Sequence, residues 1–102
     1  MRALLLGLVG FAGFASQSLA ATHEWKGYTL TISPGQALEQ ELSCTKGALL
    51  SGGYSLDSTD GPRDRLLVAV NGPVADDKWR VGLMNDHSAS VRVNFRISIL
   101  CE

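Results

Sequence analysis

The chain has 102 residues, of which 45% are hydrophobic and 19% charged, with 11 glycines, two cysteines and a formal net charge of −1. These values fit one small soluble domain. They exclude a disordered tail, a collagen-like repeat and a strongly basic nucleic-acid binder, each of which needs a composition this chain lacks.

The first twenty residues read as a segment apart. Met1-Arg2 is a short positive start, Ala3 to Ala15 is an almost unbroken apolar run, and Ser18-Leu19-Ala20 has the small-x-small form of a signal-peptidase site. The apolar run is too short for the roughly 20 residues a membrane-spanning helix needs, so a cleaved signal is expected and a retained anchor is not. Cleavage after Ala20 divides the chain into a signal peptide, 1–20, and a mature domain, 21–102, that is secreted or periplasmic. Ala21 and Thr22 offer no cysteine for lipid attachment. Loss of Arg2 leaves eight basic and ten acidic residues over 82 positions, and the basic ones are scattered. Nucleic acid is therefore not an expected partner, because counterion release needs clustered Lys and Arg.

Period-two alternation dominates the mature chain, as expected of half-buried strands. Tyr28, Leu30 and Ile32 alternate with Thr29 and Thr31 until Ser33-Pro34-Gly35 turns the chain. A second strand follows, with Leu38, Gln40, Leu42 and Cys44 on one side and Glu39, Glu41 and Ser43 on the other. Leu49 to Leu56 reads as a third, its Gly52-Gly53 pair marking a bulge or a close approach of another backbone. Asp57-Ser58-Thr59-Asp60-Gly61-Pro62 then reads as a polar loop. Leu66 to Val70 is a short apolar strand ended by Asn71-Gly72-Pro73, and Trp79, Val81 and Leu83 alternate with Arg80, Gly82 and Met84 before Asn85-Asp86-His87. The clearest strand is the last, where Val91, Val93, Phe95, Ile97, Ile99 and Cys101 share one face while Arg92, Asn94, Arg96 and Ser98 share the other. About six strands at intervals of about ten residues, without an amphipathic helix, predict an all-β fold, a small antiparallel sandwich or a barrel-like variant of it.

A domain of 82 residues buries a modest share of its surface and benefits from a staple. Cys44 and Cys101 are the only cysteines. Export would take them to an oxidising compartment, and the C-x-x-C spacing of redox pairs and many metal sites is missing, so a structural disulfide is expected. In the chain-entropy model, closing a loop of about 58 residues destabilises the unfolded state by roughly 4 kcal/mol. Both cysteines fall on inward faces near strand ends, which predicts a bridge between the second and last strands.

Cys44-x-x-Gly47, Leu50-Ser51-Gly52-Gly53-Tyr54, Asn71-Gly72-Pro73, Trp79-Arg80-Val81, Asn85 and the alternating run to Cys101 together resemble a small disulfide-linked β-sandwich module of exported bacterial proteins. The resemblance spans Cys44 to Cys101 and departs from the module's pattern at Ser51, where a third glycine is expected. It implies fold and export and carries over no catalytic residue.

Trp79 heads an alternating strand and is expected in the core, as are the rings of Tyr28 and Tyr54. Trp25, beside His23 and Glu24, has no pattern assigning it to core or surface and stays a candidate for stacking on a sugar ring. Asp57, Asp60 and Asp64, joined by Asp76 and Asp77 if the loops share one end of the sandwich, could offer oxygen ligands to calcium. The alternate-position ligands and distant Glu of an EF-hand are missing, so a solvated acidic turn is the simpler expectation. His23 and His87 accompany no nucleophile elbow, zinc-binding helix or phosphate loop. Outward Arg92, Asn94, Arg96 and Ser98 read as an ordinary solvated strip. The expectation is thus a non-enzymatic interaction or structural module with a protein or glycan partner and no cofactor. The alternatives are a carbohydrate- or calcium-binding module and a secreted hydrolase inhibitor.

Overall fold

The computed structural model describes residues 21–61 and 63–102, so the expected signal segment, 1–20, lies outside the described residues. Six strands make up the domain: β1 Thr22–Ile32, β2 Ala37–Ser43, β3 Leu49–Asp60, β4 Leu66–Ala75, β5 Lys78–Asn85 and β6 Val91–Cys101. They form two antiparallel three-stranded sheets, sheet A in the order β1-β6-β3 and sheet B in the order β2-β5-β4. This is the expected all-β sandwich. Only β4 and β5 form a local hairpin; the other connections cross from one sheet to the other.

The core follows from the alternation. On β6 the buried row Val91, Val93, Phe95, Ile97, Ile99 and Cys101 faces Val81 and Leu83 of β5, with Ile32 completing the fully buried set. Each such aliphatic or aromatic side chain contributes about 1.5–3 kcal/mol relative to exposure. Tyr28 stacks on Phe95 with ring centroids 5.4 Å apart. Its phenol, pushed above its ordinary pKa by burial, donates to the Glu41 carbonyl at 3.0 Å and so links β1 to β2.

The Gly52-Gly53 pair divides its work by face. A side chain at Gly52 would put Cβ 2.5 Å from Cδ2 of Trp79, so the glycine is what lets the indole lie against β3 from sheet B. Gly53 faces the other way, and a Cβ there would meet nothing within 4 Å. Trp79 keeps its one donor satisfied through an Nε1–H bond to Asn71 Oδ1 at 2.9 Å.

Each end of the sandwich has its own tie. At one end Cys44 and Cys101 form the disulfide, Cα atoms 5.9 Å apart, joining the residue after β2 to the end of β6. At the other, fully buried Asn85 donates from Nδ2 to the carbonyls of Ile32 (3.0 Å) and Ala89 (2.8 Å). Its Oδ1 accepts from the His87 N–H at 2.9 Å, so this one amide orders both the β5–β6 loop and the exit of β1.

The structure corrects several sequence expectations. β1 starts at Thr22, well before Tyr28, because β6 offers a pairing partner along its whole length. Asp57-Ser58-Thr59-Asp60 is strand, not loop: Asp57 is the extra residue of a bulge, and pairing with β6 resumes at Ser58. Asn71-Gly72-Pro73 does not end β4. Pro73 is accommodated because β4 is an edge strand, and a second irregularity falls between Pro73 and Ala75. Asp76-Asp77 is the two-residue turn between β4 and β5.

Reducing Cys44–Cys101 should lower the melting temperature by on the order of 15 °C or more, given the unfolded-state constraint and the sensitivity of a domain this size. Calorimetry with and without reductant measures it, and an unchanged melt would show that the bridge carries no stability. A paired substitution tests the glycine assignment by urea unfolding. Gly52→Ala should cost about 1–3 kcal/mol through overpacking against Trp79, and Gly53→Ala should stay within about 0.5 kcal/mol.

Candidate functional site

Residues directly opposite one another in antiparallel strands share a face, so the register of sheet A lays out its outer surface in rows. From the disulfide end these are His23, Leu100 and Ser51; Trp25, Ser98 and Gly53; Gly27, Arg96 and Ser55; Thr29, Asn94 and Ser58; and Thr31, Arg92 and Asp60. Small and hydroxyl-bearing residues dominate, and one large aromatic stands among them. Trp25 is 58% exposed, the most exposed of the large hydrophobic side chains among the described residues.

The indole is braced. The Arg96 guanidinium lies over it with Cζ 5.0 Å from the ring centroid, and Arg96 Nη2 donates to Asp57 Oδ1 at 3.2 Å. The bulge in β3 supplies Asp57 as an extra residue at this point. Trp25, Arg96 and Asp57 thus form a ridge across all three strands. In exposed positions the cation–π contact is worth about 0.5–1 kcal/mol and the ion pair about 0–1 kcal/mol. Their consequence is positional: an aromatic face is held beside one fixed donor and one fixed acceptor. In the row of Asn94, Thr29 Oγ1 donates to Asn94 Oδ1 at 2.6 Å and Asn94 Nδ2 donates to Ser58 Oγ at 2.8 Å.

On the disulfide side of the ridge lies a shallow depression of about 310 Å³, lined by His23, Ser51, Gly53, Ser98 and Leu100 with backbone from Gly52 and Ile99. It exists because Gly53 and Ser98 place almost no side chain on the sheet. A comparable hollow of about 330 Å³ at the other end is lined by Arg65, Asp86, His87 and Ser88. There Arg65 and Asp86 pair at 3.6 Å, and His87 Nδ1 accepts from the Ala89 N–H at 3.1 Å, so the polar groups serve the loop itself.

The structure does not bring the five candidate calcium-ligand aspartates together. Asp57 is engaged by Arg96 in mid-strand, Asp60 shares a row with Arg92 at the end of β3, and Asp64 lies in the β3–β4 loop. Asp76 and Asp77 sit at the opposite, disulfide end, where their carbonyls accept from the N–H groups of Leu49 (2.8 Å) and Cys44 (2.7 Å). Among the described residues, no three His, Cys, Asp or Glu side chains are grouped to hold a metal ion. His23 and His87 likewise fall at opposite ends.

Of the expected site residues, then, the structure joins Trp25 and Asp57 through Arg96 and separates the other aspartates from them. His23, Ser51, Gly53 and Leu100 join the surface unforeseen. The double glycine held the usable signal: in a strand one of the pair must face the core and the other solvent, so Gly53 had to leave a gap on the outer face.

The outer face of sheet B differs in kind. Arg80 Nε donates to Glu41 Oε2 at 2.7 Å and lies 3.6 Å from Glu39 Oε1, while Lys78 Nζ is 3.7 Å from Glu41. The hydrogen bond from Arg80, with the charges of Arg80 and Lys78, holds the Glu41 carboxyl below its ordinary pKa.

No family model, curated protein or solved structure matches this chain.

The two indoles should separate in quenching. With Trp79→Phe, the remaining Trp25 emission should be red-shifted and readily quenched by acrylamide; with Trp25→Phe, the remaining Trp79 emission should be distinctly protected. Equal quenching constants would contradict the platform geometry.

Proposed function

We propose that this domain is an exported, non-enzymatic binding module whose outer sheet-A face takes a saccharide. Exposed Trp25, held beside the Arg96–Asp57 pair, carries the reading. A pyranose presents an apolar C–H face and a rim of hydroxyls that both donate and accept hydrogen bonds. An indole beside a guanidinium, a carboxylate and a row of hydroxyls complements both features, with an apolar contact for area and polar groups for orientation. The strands fix the backbone beneath these groups, which keeps the entropic cost of binding low. The Cys44–Cys101 disulfide supports residence in an oxidising compartment, the periplasm or the cell exterior, in line with reading residues 1–20 as an export signal.

A second reading, a protein partner, is favoured by β4. This edge strand has no charged residue in its ten positions and exposes Leu67, Val68 and Val74. Edge strands are usually blunted by charge, and this one relies on Pro73 and two irregularities in its pairing.

One experiment separates the two. The oxidised domain, residues 21–102, is titrated with neutral and acidic oligosaccharides while tryptophan emission is followed in the Trp79→Phe background. Saturable change is expected, with affinity lowered at least tenfold by Arg96→Ala; Trp25→Ala, followed by calorimetry, should abolish binding. Blank titrations, with saturable binding to a purified envelope protein that Leu67→Glu abolishes, would replace the saccharide reading with the protein one.

A further inference from the structure

The depression beside the platform narrows the ligand, on the premise that the platform binds a sugar. We propose that it accepts the acetamido group of an N-acetylated amino sugar. The row containing Trp25 continues through Ser98 to Gly53, and Ser98 and Gly53 both line the depression, so the depression adjoins the platform along that row. The depression, about 310 Å³ and open to solvent, has room for a ring substituent.

The chemistry of the walls selects the substituent. The Leu100 side chain gives an apolar wall, which suits a methyl group. The hydroxyls of Ser51 and Ser98 and the imidazole of His23 stand around that surface, able to donate to a carbonyl and accept from an N–H. An acetamido group combines one methyl, one carbonyl and one N–H within a few ångströms. A plain hydroxyl would leave the apolar wall uncovered. A free ammonium would carry charge onto it, with Asp57 already engaged by Arg96 on the far side of the ridge.

The test compares three trisaccharides that share a β-linked backbone: triacetylchitotriose, its deacetylated form and cellotriose. Each is titrated into the oxidised domain by calorimetry, alongside Gly53→Val, which fills the depression from a position where a Cβ meets nothing. The expected result is at least tenfold tighter binding of the acetylated sugar than of cellotriose by the native domain, with that ratio falling to about one in Gly53→Val. Equal binding of the acetylated sugar and cellotriose overturns the acetamido assignment and leaves the platform standing. A preference that survives Gly53→Val overturns its location. No binding of any trisaccharide overturns the platform reading itself. Should Gly53→Val not fold, Gly53→Ser serves in its place, and the comparison in the native domain decides the preference on its own.

Discussion

Because β6 is hydrogen-bonded along both edges, to β1 on one side and β3 on the other, its eleven residues set the register of sheet A. One face of β6 is fully buried, so a slip of a single residue would expose Phe95 and its neighbours and bury Arg92 and Arg96. That penalty pins the register, and the register in turn brings Trp25, Ser98 and Gly53 into one row. The same alternation therefore makes the core and the surface site: the odd-numbered residues of β6 hold the two sheets together, and the even-numbered ones form the middle of the platform. Cys101 closes the strand, and the disulfide keeps its terminus from fraying beneath His23 and Ser51.

The open edges of the sandwich are sealed in two ways. Between β1 and β2 the seal is polar. Tyr28 donates to the Glu41 carbonyl, and the Glu24 carboxylate accepts from both the N–H (3.2 Å) and the hydroxyl (2.9 Å) of Thr45, next to Cys44. Between β3 and sheet B the seal is the Trp79 indole lying on Gly52. Two tryptophans in so small a domain thus have opposite duties. Trp79 supplies interior area, with its N–H paired to Asn71, and Trp25 is kept on the surface by a contact with a charged group that has no place inside.

How much was legible follows from where the constraints are local. The faces of β6, β2 and β5, and the bridge between Cys44 and Cys101, could be read because buried positions recur with period two and cysteines are few. Asp57–Asp60 and Asn71–Pro73 were misread as loop because their residue types favour turns. Both lie on edge strands, where solvent on one side relaxes the demands of pairing and bulges absorb the extra residues. Asn85 appeared in the sequence only as one residue of a turn, although it is the buried amide that ties the far end together. The site was harder still. Trp25 pairs with Ser98 across 73 positions and Asp57 reaches Arg96 across 39, and neither partnership leaves a local pattern.

The contrast between the two outer faces is the reason for proposing sheet A, rather than sheet B, as the binding surface. On sheet B the charges are mutually engaged: Arg80 serves Glu39 and Glu41, and Lys78 adds to Glu41. A ligand arriving there would have to displace interactions already formed, and the depressed pKa of Glu41 records how well its ionised form is accommodated. Sheet A keeps one comparable pair, Arg96 with Asp57, and sets it against an aromatic face and the hydroxyls of Ser51 and Ser98. Exchanging water at those groups for ligand hydroxyls is close to neutral for each bond, so net affinity has to come from the apolar contact with Trp25 and the depression behind it. On the proposed reading, a surface built this way would bind modestly and discriminate by shape.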